Sequence, residues 1–254
     1  MLRISLPGVM IWGAPYGPLA RGLYVLPGGF KGWDGSPSGR REAVARPFAH
    51  GEFDLPVFRS PRVVTISGVA VAGSTYELRQ LSEALTALGA DGEMLPLVVD
   101  HEGQELKAYA RVIEVTFTDE GKRGARQRAK FSVNLVCPDP RKYGVTNVYS
   151  GDGSVLVWQR GNFPGLPQIR VSGASSSGYT VTGPGGKKIV VSRALASGSP
   201  HTLDLATGAL LVGGSRVLGG VASYQEFTIP PKKKATVSVS SDLALQVTVP
   251  DTYM

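Results

Sequence analysis

A strand that ends at two prolines constrains the fold of this chain more than any other feature of its sequence. The stretch FSVNLVCPDPRKYG occupies residues 131–144. Apolar side chains occupy its alternate positions, Phe131, Val133, Leu135 and Cys137. One face of the predicted strand is therefore apolar. Pro138 and Pro140 lack the N–H group that a sheet needs, so the strand cannot continue. The sequence predicts that one domain ends here, followed by an exit loop.

Glycine and proline are frequent along the whole chain. The 254 residues include 33 glycines and 18 prolines, and 42% of the residues are hydrophobic. So much turn-forming sequence favours many short strands joined by turns, and the apolar content is sufficient for a buried core. We therefore predict a mainly β chain with two domains, residues 1–142 and residues 143–254.

One helix is predicted before the boundary, over residues 74–88. Ser74 and Glu77 have the spacing of a capping box at its start. Leucines form a single apolar stripe along it: Leu78, Leu81, Leu85 and Leu88. A strand precedes the helix at residues 62–71 and three strands follow it, which gives the order β-α-β-β-β between residues 60 and 137. This order predicts an N-terminal β-barrel or sheet that is covered by the helix.

The second strand after the helix changes its apolar face. Its apolar residues up to Val112 lie on one side, and those from Ile113 onward lie on the other. Either a β-bulge or burial on both sides explains the change. A stretch rich in cations, residues 121–130, separates this strand from the next, and we predict a solvated hairpin tip there.

After residue 143 no helical period appears, and strand patterns recur at nearly regular spacing. This arrangement is typical of an antiparallel β-sandwich. Residues 206–208 (Ala-Thr-Gly) and residues 240–242 (Ser-Ser-Asp) predict hairpin turns within it. The sequence leaves open whether the last strand, LQVTVPDTYM, stays in the second domain or returns to the first.

The sequence contains no recognisable set of catalytic residues. His50, His101 and His201 lie far apart, without partners at metal-ligand spacing. Cys137, the one cysteine, is predicted to be a core residue because it lies on the inward side of its strand.

GPGGKK at residues 183–188 predicts a turn rather than a phosphate loop, because a lysine stands where Ser or Thr would hold magnesium. A carboxylate pair formed by folding would be invisible here. We predict no enzyme activity, no metal site and no cofactor.

The formal net charge of the chain is +7, and part of it lies in the predicted hairpin tip. A nucleic-acid-binding protein usually spreads such charge along a helix or among aromatic residues.

The single cysteine indicates folding in a reducing compartment. Apolar runs are too short to cross a membrane, and Pro7, Gly8 and Gly13 interrupt the N-terminal apolar stretch. We therefore predict neither a membrane span nor a signal peptide.

Several stretches, taken in order, resemble one known family. Residues 32–53 (GWDGSPSGRREAVARPFAHGEF) resemble a Gly-Trp, Arg and His-Gly entry, and residues 62–88 (RVVTISGVAVAGSTYELRQLSEALTAL) resemble a strand-Gly-strand-helix block. FSVNLVCPDPRKYG matches a strand that ends in Asp-Pro and an aromatic residue. GNFPGLPQIRVSG, HTLDLATGALLVGG and the C-terminal strand are similar to parts of a second domain. The ordered set resembles the distal tail proteins, the Dit family, of long flexible-tailed (siphovirus) bacteriophages of Gram-positive hosts.

The resemblance covers nearly the whole chain and departs from the family at one place. The stretch IPPKKKATV, residues 229–237, stands where the family commonly has a Pro-Gly turn. The local turn geometry at these residues is therefore not implied by the resemblance.

The resemblance implies a structural virion protein at the tail tip. N-terminal domains of the family form six-fold rings that continue the tail tube, with a lumen for the tape measure protein and for DNA, which passes without specific binding. C-terminal domains are galectin-like sandwiches on which the tail hub or tip protein or receptor-binding proteins dock. The implied location is the virion, after folding and assembly in the cytoplasm of the host bacterium. Sugar binding is not carried over, because no sugar-site residues can be matched.

A ring requires that two different patches of each subunit meet. The first 60 residues, rich in proline and glycine, are one candidate patch. Five cations of the predicted hairpin tip form the other: Lys122, Arg123, Arg126, Arg128 and Lys130. The last three alternate along a strand and are expected to point the same way. An ordinary solvated face explains these cations equally well.

Two other functions stay open at the level of the sequence. One is a stand-alone carbohydrate-binding or receptor-binding tail protein with a galectin-like head. The other, a tail-associated hydrolase, has the weakest support because the sequence shows no catalytic site. Oligomeric state separates the first of these from a ring protein.

Overall fold

The computed structural model describes residues 1–15 and 19–254, with Arg123 described by its main chain only. The described chain is mainly β, as the sequence predicts. It divides into two compact units, residues 1–142 together with Met254, and residues 143–253. Each unit has its own hydrophobic core.

The first unit is a β-barrel. Its elements are β1 (Arg3–Leu6), β2 (Val9–Gly13), β3 (Gly22–Lys31), β4 (Gly39–Arg40), β5 (Phe58–Arg59), β6 (Arg62–Ala72), α1 (Thr75–Thr86), β7 (Leu95–His101), β8 (Gln104–Arg123) and β9 (Arg126–Cys137). The barrel strands follow the order β8-β7-β1-β2-β3-β6-β9, and β8 also pairs with β9, which closes the ring of strands. β2 and β3 pair in parallel, whereas the neighbouring pairs are antiparallel. The predicted N-terminal barrel is confirmed.

The pairing of β6 with β9 contributes much of the barrel core. It runs from Arg62 opposite Cys137 to Ala72 opposite Gln127. The apolar residues that alternate along β9 are all buried: Phe131, Val133, Leu135 and Cys137. At its other edge β6 pairs with β3, and Gly68 allows the two strands to approach closely. A Cβ at this position would lie only 2.0 Å from the main-chain oxygen of Tyr24. Any side chain at this position would separate the two strands.

The helix α1 begins after the N-cap Ser74, as predicted. The Oγ of Ser74 accepts a hydrogen bond of 3.2 Å from the N–H of Glu77. The Glu77 carboxylate accepts a hydrogen bond of 2.7 Å from the N–H of Gly73, one residue earlier than a capping box predicts, and pairs with Arg21 at 2.9 Å. Three leucines of the stripe are buried and Leu81 is half-buried. The helix therefore covers part of the barrel core beside β6, β8 and β9.

A β-bulge explains the change of apolar face in β8. The register between β8 and β9 shifts between Val112 and Glu114. Ile113 is exposed, whereas Val115 and Phe117 pack against the barrel core, on the side that the apolar residues before the bulge also face. Of the two explanations that the sequence leaves open, the bulge is correct.

The second unit is a sandwich of two sheets. Its strands are β10 (Lys142–Asp152), β11 (Ser154–Val157), β12 (Gln168–Ser172), β13 (Tyr179–Thr182), β14 (Lys188–Val191), β15 (His201–Asp204), β16 (Ala209–Val212), β17 (Ser215–Val217), β18 (Val221–Tyr224), β19 (Ala235–Val239) and β20 (Ala244–Tyr253), with a single 3₁₀ turn described at Pro184–Gly186. One sheet has the order β17-β16-β15-β12-β20-β10 and the other β11-β19-β13-β14-β18. Both contribute to one core, for example through Val247 of β20 and Val181 of β13. The predicted sandwich is confirmed, and the last strand, β20, pairs with β12 in this unit.

One predicted hairpin of the second unit is present and the other is wrong. β15 and β16 form a hairpin whose turn includes Gly208 at φ +67°. Residues 240–242 instead connect β19 in one sheet to β20 in the other. Ser-Ser-Asp is turn-forming sequence in either arrangement. Composition alone therefore could not distinguish a hairpin from a connection between sheets.

Candidate assembly surfaces

His201 and Asp100 have structural partners. His201 is buried in the sandwich with its Nδ1 3.2 Å from the Oη of Tyr179, and burial lowers its pKa. Asp100 accepts a hydrogen bond of 3.0 Å from the N–H of Gly103 and pairs with Arg3 at 3.1 Å. Within residues 1–15 and 19–254, His, Cys, Asp and Glu side chains nowhere gather in a group that could hold a metal ion. Nor does this part of the chain contain a helix with the length and apolar character to span a membrane.

A buried arginine joins three segments of the first unit. Arg62 begins β6 and is only 1% exposed. Its Nη1 lies 2.8 Å from the main-chain oxygens of Gly32 and Trp33 and 2.6 Å from that of Gly35. Its Nε donates a hydrogen bond of 2.9 Å to the main-chain oxygen of Pro140. Arg62 therefore fixes the loop after β3 to the exit loop that the two prolines create.

A lysine completes what we call the buried cation cluster, Arg62, Trp33 and Lys142. The Nζ of Lys142 donates a hydrogen bond of 2.8 Å to the main-chain oxygen of Trp33 and lies 5.4 Å from the centre of its ring. Burial, and then the charge of Arg62, lower the pKa of Lys142 to about 8. Burial also lowers the pKa of Arg62 and raises the pKa of the neighbouring Cys137 thiol to about 11. Main-chain carbonyl oxygens accept hydrogen bonds from Arg62 and Lys142, and these bonds replace part of the hydration that the two cations lose on burial.

Residues 39–59 leave the barrel as a hairpin arm. β4 and β5 pair at its base, and an isolated bridge joins Ala45 to Glu52 further out. Arg62 of the buried cation cluster follows this base in the chain, and it binds the main-chain oxygens of Gly32 and Gly35, which precede the base. The arm therefore extends from a fixed point on the barrel.

The hairpin arm exposes apolar side chains. Each of five is at least 49% exposed: Val44, Phe48, Phe53, Val57 and Phe58. Phe48, near the tip, is fully exposed and has φ +60°, a left-handed conformation that is uncommon for a bulky residue. Five exposed large apolar side chains on one short hairpin favour an interaction site. The arm is therefore a candidate for contact with another protein chain.

The predicted basic hairpin tip lies between β8 and β9, with Gly124 and Ala125 at its turn. Ala129 and Phe131 of β9 face the barrel core. The cations at the even-numbered positions of β9 therefore share the outer side of the barrel, as their alternation predicts.

Two arginines of the tip lie beside a small core on that outer side. Tyr24, Val69 and Val71 are buried there, with Leu19 packed against them. The Nη1 of Arg126 donates a hydrogen bond to the main-chain oxygen of Leu19. Arg128 lies opposite Val71, and its buried Nε has no hydrogen-bond partner among the described residues. Both side chains are half-buried, so the tip is less exposed at these two positions than the sequence predicts.

The remaining cations of the tip differ from one another. Lys130 pairs with Glu120 at 2.8 Å. Lys122 is exposed. The side chain of Arg123 lies outside the described part of the structure. All five cations belong to one hairpin, but the four described side chains do not share the same surroundings, and the role of the five in an interface stays a prediction.

The sequence analysis missed Arg62, and it included the arm only as part of a candidate patch over the first 60 residues. Arg62 shares the inward side of β6 with Val64 and Ile66, so a cation at an inward position of an alternating strand was the available signal. The apolar residues of the arm follow neither a helical nor a strand period, and prolines and glycines separate them. No comparable signal marks the arm as an exposed hairpin.

Comparison with known proteins supports the fold. No protein-family model matches the chain, and no curated protein is significantly similar to it in sequence. The chain is similar to the crystal structure of the Dit protein (gp 19.1) of phage SPP1, which is described as a paradigm of the hub adsorption apparatus in phages that infect Gram-positive hosts. The TM-score is 0.71 at 15% identity, with 100% of both chains covered.

Two structures of the phage P2 baseplate in its activated conformation, with calcium and with strontium, match with TM-scores of 0.46 and 0.44. Each match has 8% identity and covers 84% of this chain and 87% of the other. These two matches are too distant to establish a fold by themselves. The full-length match to the SPP1 protein shows that this chain has the fold of a phage distal tail protein, which is the family that the sequence resembles.

Proposed function

We propose that this chain is a structural protein of a bacteriophage tail tip. The observation that carries the proposal is the likeness of fold to the SPP1 Dit protein over the full length of both chains. The ordered resemblance of the sequence to the distal tail family supports it independently of the coordinates. In this role the protein is a distal tail or baseplate hub component between the tail tube and the tip or receptor-binding apparatus.

The first unit is the part that we assign to ring formation. Six copies meet through two different patches of each first unit, as a closed ring requires. The apolar hairpin arm is one patch. The other lies on the outer side of the barrel, where Met10 and Trp12 of β2 and Tyr109 of β8 are each 39–45% exposed. Their burial against the arm of a neighbouring copy would remove apolar surface from water on both subunits.

The size of this contact sets a condition on the proposal. A specific interface buries at least about 1,000 Å² in total. The arm offers five large apolar side chains that are half exposed or more, which is the composition expected for the centre of such an interface. The basic tip, through Lys122, is a secondary candidate at the rim.

The remaining partners follow from the same role. The tail tube protein and the tape measure protein contact the ring, and the sandwich carries the tail hub or tip protein or a receptor-binding protein. Phage DNA passes through the lumen without specific binding. The protein acts in the virion after assembly in the host cytoplasm, and we propose no catalytic activity for it.

Light scattering coupled to size-exclusion chromatography tests the proposal on the purified full chain. The expected particle has six times the 26.8 kDa mass of one chain, or twice that mass if two rings stack. A particle of one chain at every concentration, especially one that binds glycans, would instead favour a stand-alone carbohydrate- or receptor-binding protein.

A further inference from the structure

The loops at one end of the sandwich carry six exposed cations, which we call the basic end. They come from three stretches of the sequence: Arg160, Lys187, Lys188, Lys232, Lys233 and Lys234. The three consecutive lysines lie in the stretch that departs from the distal tail family. The GPGGKK turn supplies two more. Neither stretch has a role in the ring proposed above.

Hydrogen bonds show that these stretches are neighbours. The Nζ of Lys187 donates a hydrogen bond of 2.8 Å to the main-chain oxygen of Glu226. The N–H of Lys232 donates one of 3.0 Å to the oxygen of Gln159, which precedes Arg160. The segment from Glu226 to Lys232 therefore connects the two lysine stretches, and even fully extended it spans only about 20 Å. The basic end is one surface rather than three separate loops.

Carboxylates do not balance the basic end. Within the described residues, none of its six cations forms an ion pair, whereas Arg3, Arg21 and Lys130 elsewhere do. Asp251 is near Arg160 but is only 2% exposed, and its Oδ1 accepts hydrogen bonds from the N–H of Arg160 at 2.7 Å and from Asn147 at 2.9 Å. Glu226 contributes its main-chain oxygen to Lys187 and is exposed. The surface therefore keeps a strong positive potential.

The backbone at Lys232 is a second, independent observation. Lys232 has φ +55°, a left-handed conformation that favours glycine and costs roughly 1–2 kcal/mol for other residues. Pro230 and Pro231 precede it and restrict the approach of the chain. A glycine would suit this turn better, yet the chain has a lysine there. A function that needs the charge explains this choice.

We propose that the basic end binds a polyanion whose charges are carried by phosphate groups. Five of the six cations are lysines, and lysine is depleted in interfaces between proteins, where aromatic side chains and arginine are enriched. The aromatic residue nearby, Trp158, is half-buried and lies under Arg160 at 5.8 Å. Lysine ammonium groups bind phosphate as point charges. Recognition here depends on the phosphate groups and not on the sequence of the polymer.

Fluorescence anisotropy on the full chain tests this proposal with three labelled probes of matched charge: inorganic polyphosphate, single-stranded DNA and polyglutamate. Both phosphate polymers are expected to bind with similar affinity, and the logarithm of the binding constant should fall linearly with the logarithm of salt concentration. Polyglutamate is expected to bind at least about tenfold more weakly.

Binding of DNA alone would overturn the proposal, because bases would then be recognised. Equal binding of polyglutamate would point instead to an acidic protein partner.

Matched variants locate the site. Lys232→Gly with Lys233→Ser and Lys234→Ser should weaken polyphosphate binding by about tenfold or more and reduce the salt slope by roughly 2. The glycine also relieves the left-handed backbone, so thermal stability should be unchanged or higher. The control replaces three exposed cations elsewhere, Lys31, Arg170 and Arg216, by serine and removes the same charge. It should change affinity by less than about twofold.

A second variant keeps the test independent of the lysine turn. Lys187→Ser with Lys188→Ser should also weaken binding, because these lysines lie on the other side of the same surface. An equal loss in the control variant would contradict the proposal, since net charge alone would then explain binding. Absence of polyphosphate binding by the unchanged protein at about 50 mM salt would contradict it as well.

Discussion

The Nη1 of Arg62 and the Nζ of Lys142 each lie 2.8 Å from the same atom, the main-chain oxygen of Trp33. Arg62 begins β6 and Lys142 follows the Pro-Asp-Pro exit, so one carbonyl connects the start of a barrel strand to the end of the first unit. The same contacts fix the chain that leads into the hairpin arm. The buried cation cluster is therefore the structural base of the arm that we assign to ring formation.

Arg62→Met tests the role of this cluster in stability. The variant leaves the oxygens of Gly32, Gly35 and Pro140 without their buried donor, so the free energy of unfolding should fall by about 3 kcal/mol. Chemical denaturation of the full chain, followed through tryptophan fluorescence, measures the loss. Arg59→Met is the matched control, because Arg59 is exposed and makes a single hydrogen bond of 3.2 Å to Pro37. Equal losses in both variants would contradict the account.

The pKa of Lys142 predicts an unusual pH dependence. The folded chain has a pKa of about 8 at this lysine, below the ordinary 10.5, so between these values the unfolded chain binds more protons. The free energy of unfolding should therefore rise with pH, by about 1 kcal/mol between pH 8 and pH 9. The pKa of Cys137 is raised from 9.0 to about 11, which has the opposite sign and offsets the rise above pH 9.

Denaturation at several pH values measures both effects. Lys142→Met should abolish the rise from pH 8 to pH 9, whatever the variant does to stability at neutral pH. Cys137→Ala should let the rise continue above pH 9, where the two opposite effects nearly cancel in the unchanged protein. A Lys142→Met variant with the same pH profile as the unchanged protein would show that this lysine does not titrate as its burial requires.

The helix stripe predicts graded losses. Leu85 is fully buried, so Leu85→Ala should lower the free energy of unfolding by about 2–5 kcal/mol. Leu81 is half-buried, so Leu81→Ala should cost less. Glu83→Ala on the exposed side of the helix removes only an ion pair of 3.7 Å with Arg79 and should change stability by less than about 0.5 kcal/mol. Thermal unfolding ranks the three variants, and a loss at Glu83 as large as at Leu85 would refute the packing of α1.

The hairpin arm predicts an effect on assembly without an effect on folding. Phe48→Ser and Phe58→Ser together should lower the mass of the assembled particle measured by light scattering, while thermal stability of the dissociated chain stays within about 1 kcal/mol. Leu218→Ser is the control, because Leu218 is 92% exposed but lies in the second unit. Dissociation by the control but not by the arm variant would place the subunit contact elsewhere.

The basic tip separates structural cations from available ones. Arg126→Glu should destabilise the first unit because it removes the hydrogen bond to Leu19, whereas Lys122→Glu should leave stability unchanged. If the tip contributes to ring contacts, Lys122→Glu will weaken assembly and the weakening will grow at low salt. An unchanged particle mass for Lys122→Glu would remove the tip from the interface.

The sequence predicts those parts of the fold that depend on local periodicity. Alternation in residues 131–137 and the leucine stripe of α1 each place apolar residues on one face, and burial in the structure follows those faces. The proline pair marks the end of the first unit because proline cannot donate to a ladder. These signals depend on neighbours within one turn or one strand.

Other features depend on residues that are far apart in the chain. The parallel pairing of β2 with β3 and the closure of β8 on β9 are not encoded in any local period. Arg126 binds an oxygen 107 positions away, at Leu19, so its half-buried position could not be predicted from its charge. The acceptors of Arg62 are main-chain oxygens, which any residue type could supply. Side-chain identity therefore gives little information about this cluster.

Negative-stain electron microscopy of the purified full chain tests the central claim most directly. Class averages at high protein concentration should show closed annuli with six-fold symmetry and an open centre. Fields that contain only single-chain particles under the same conditions would contradict the assignment of this protein to a tail ring.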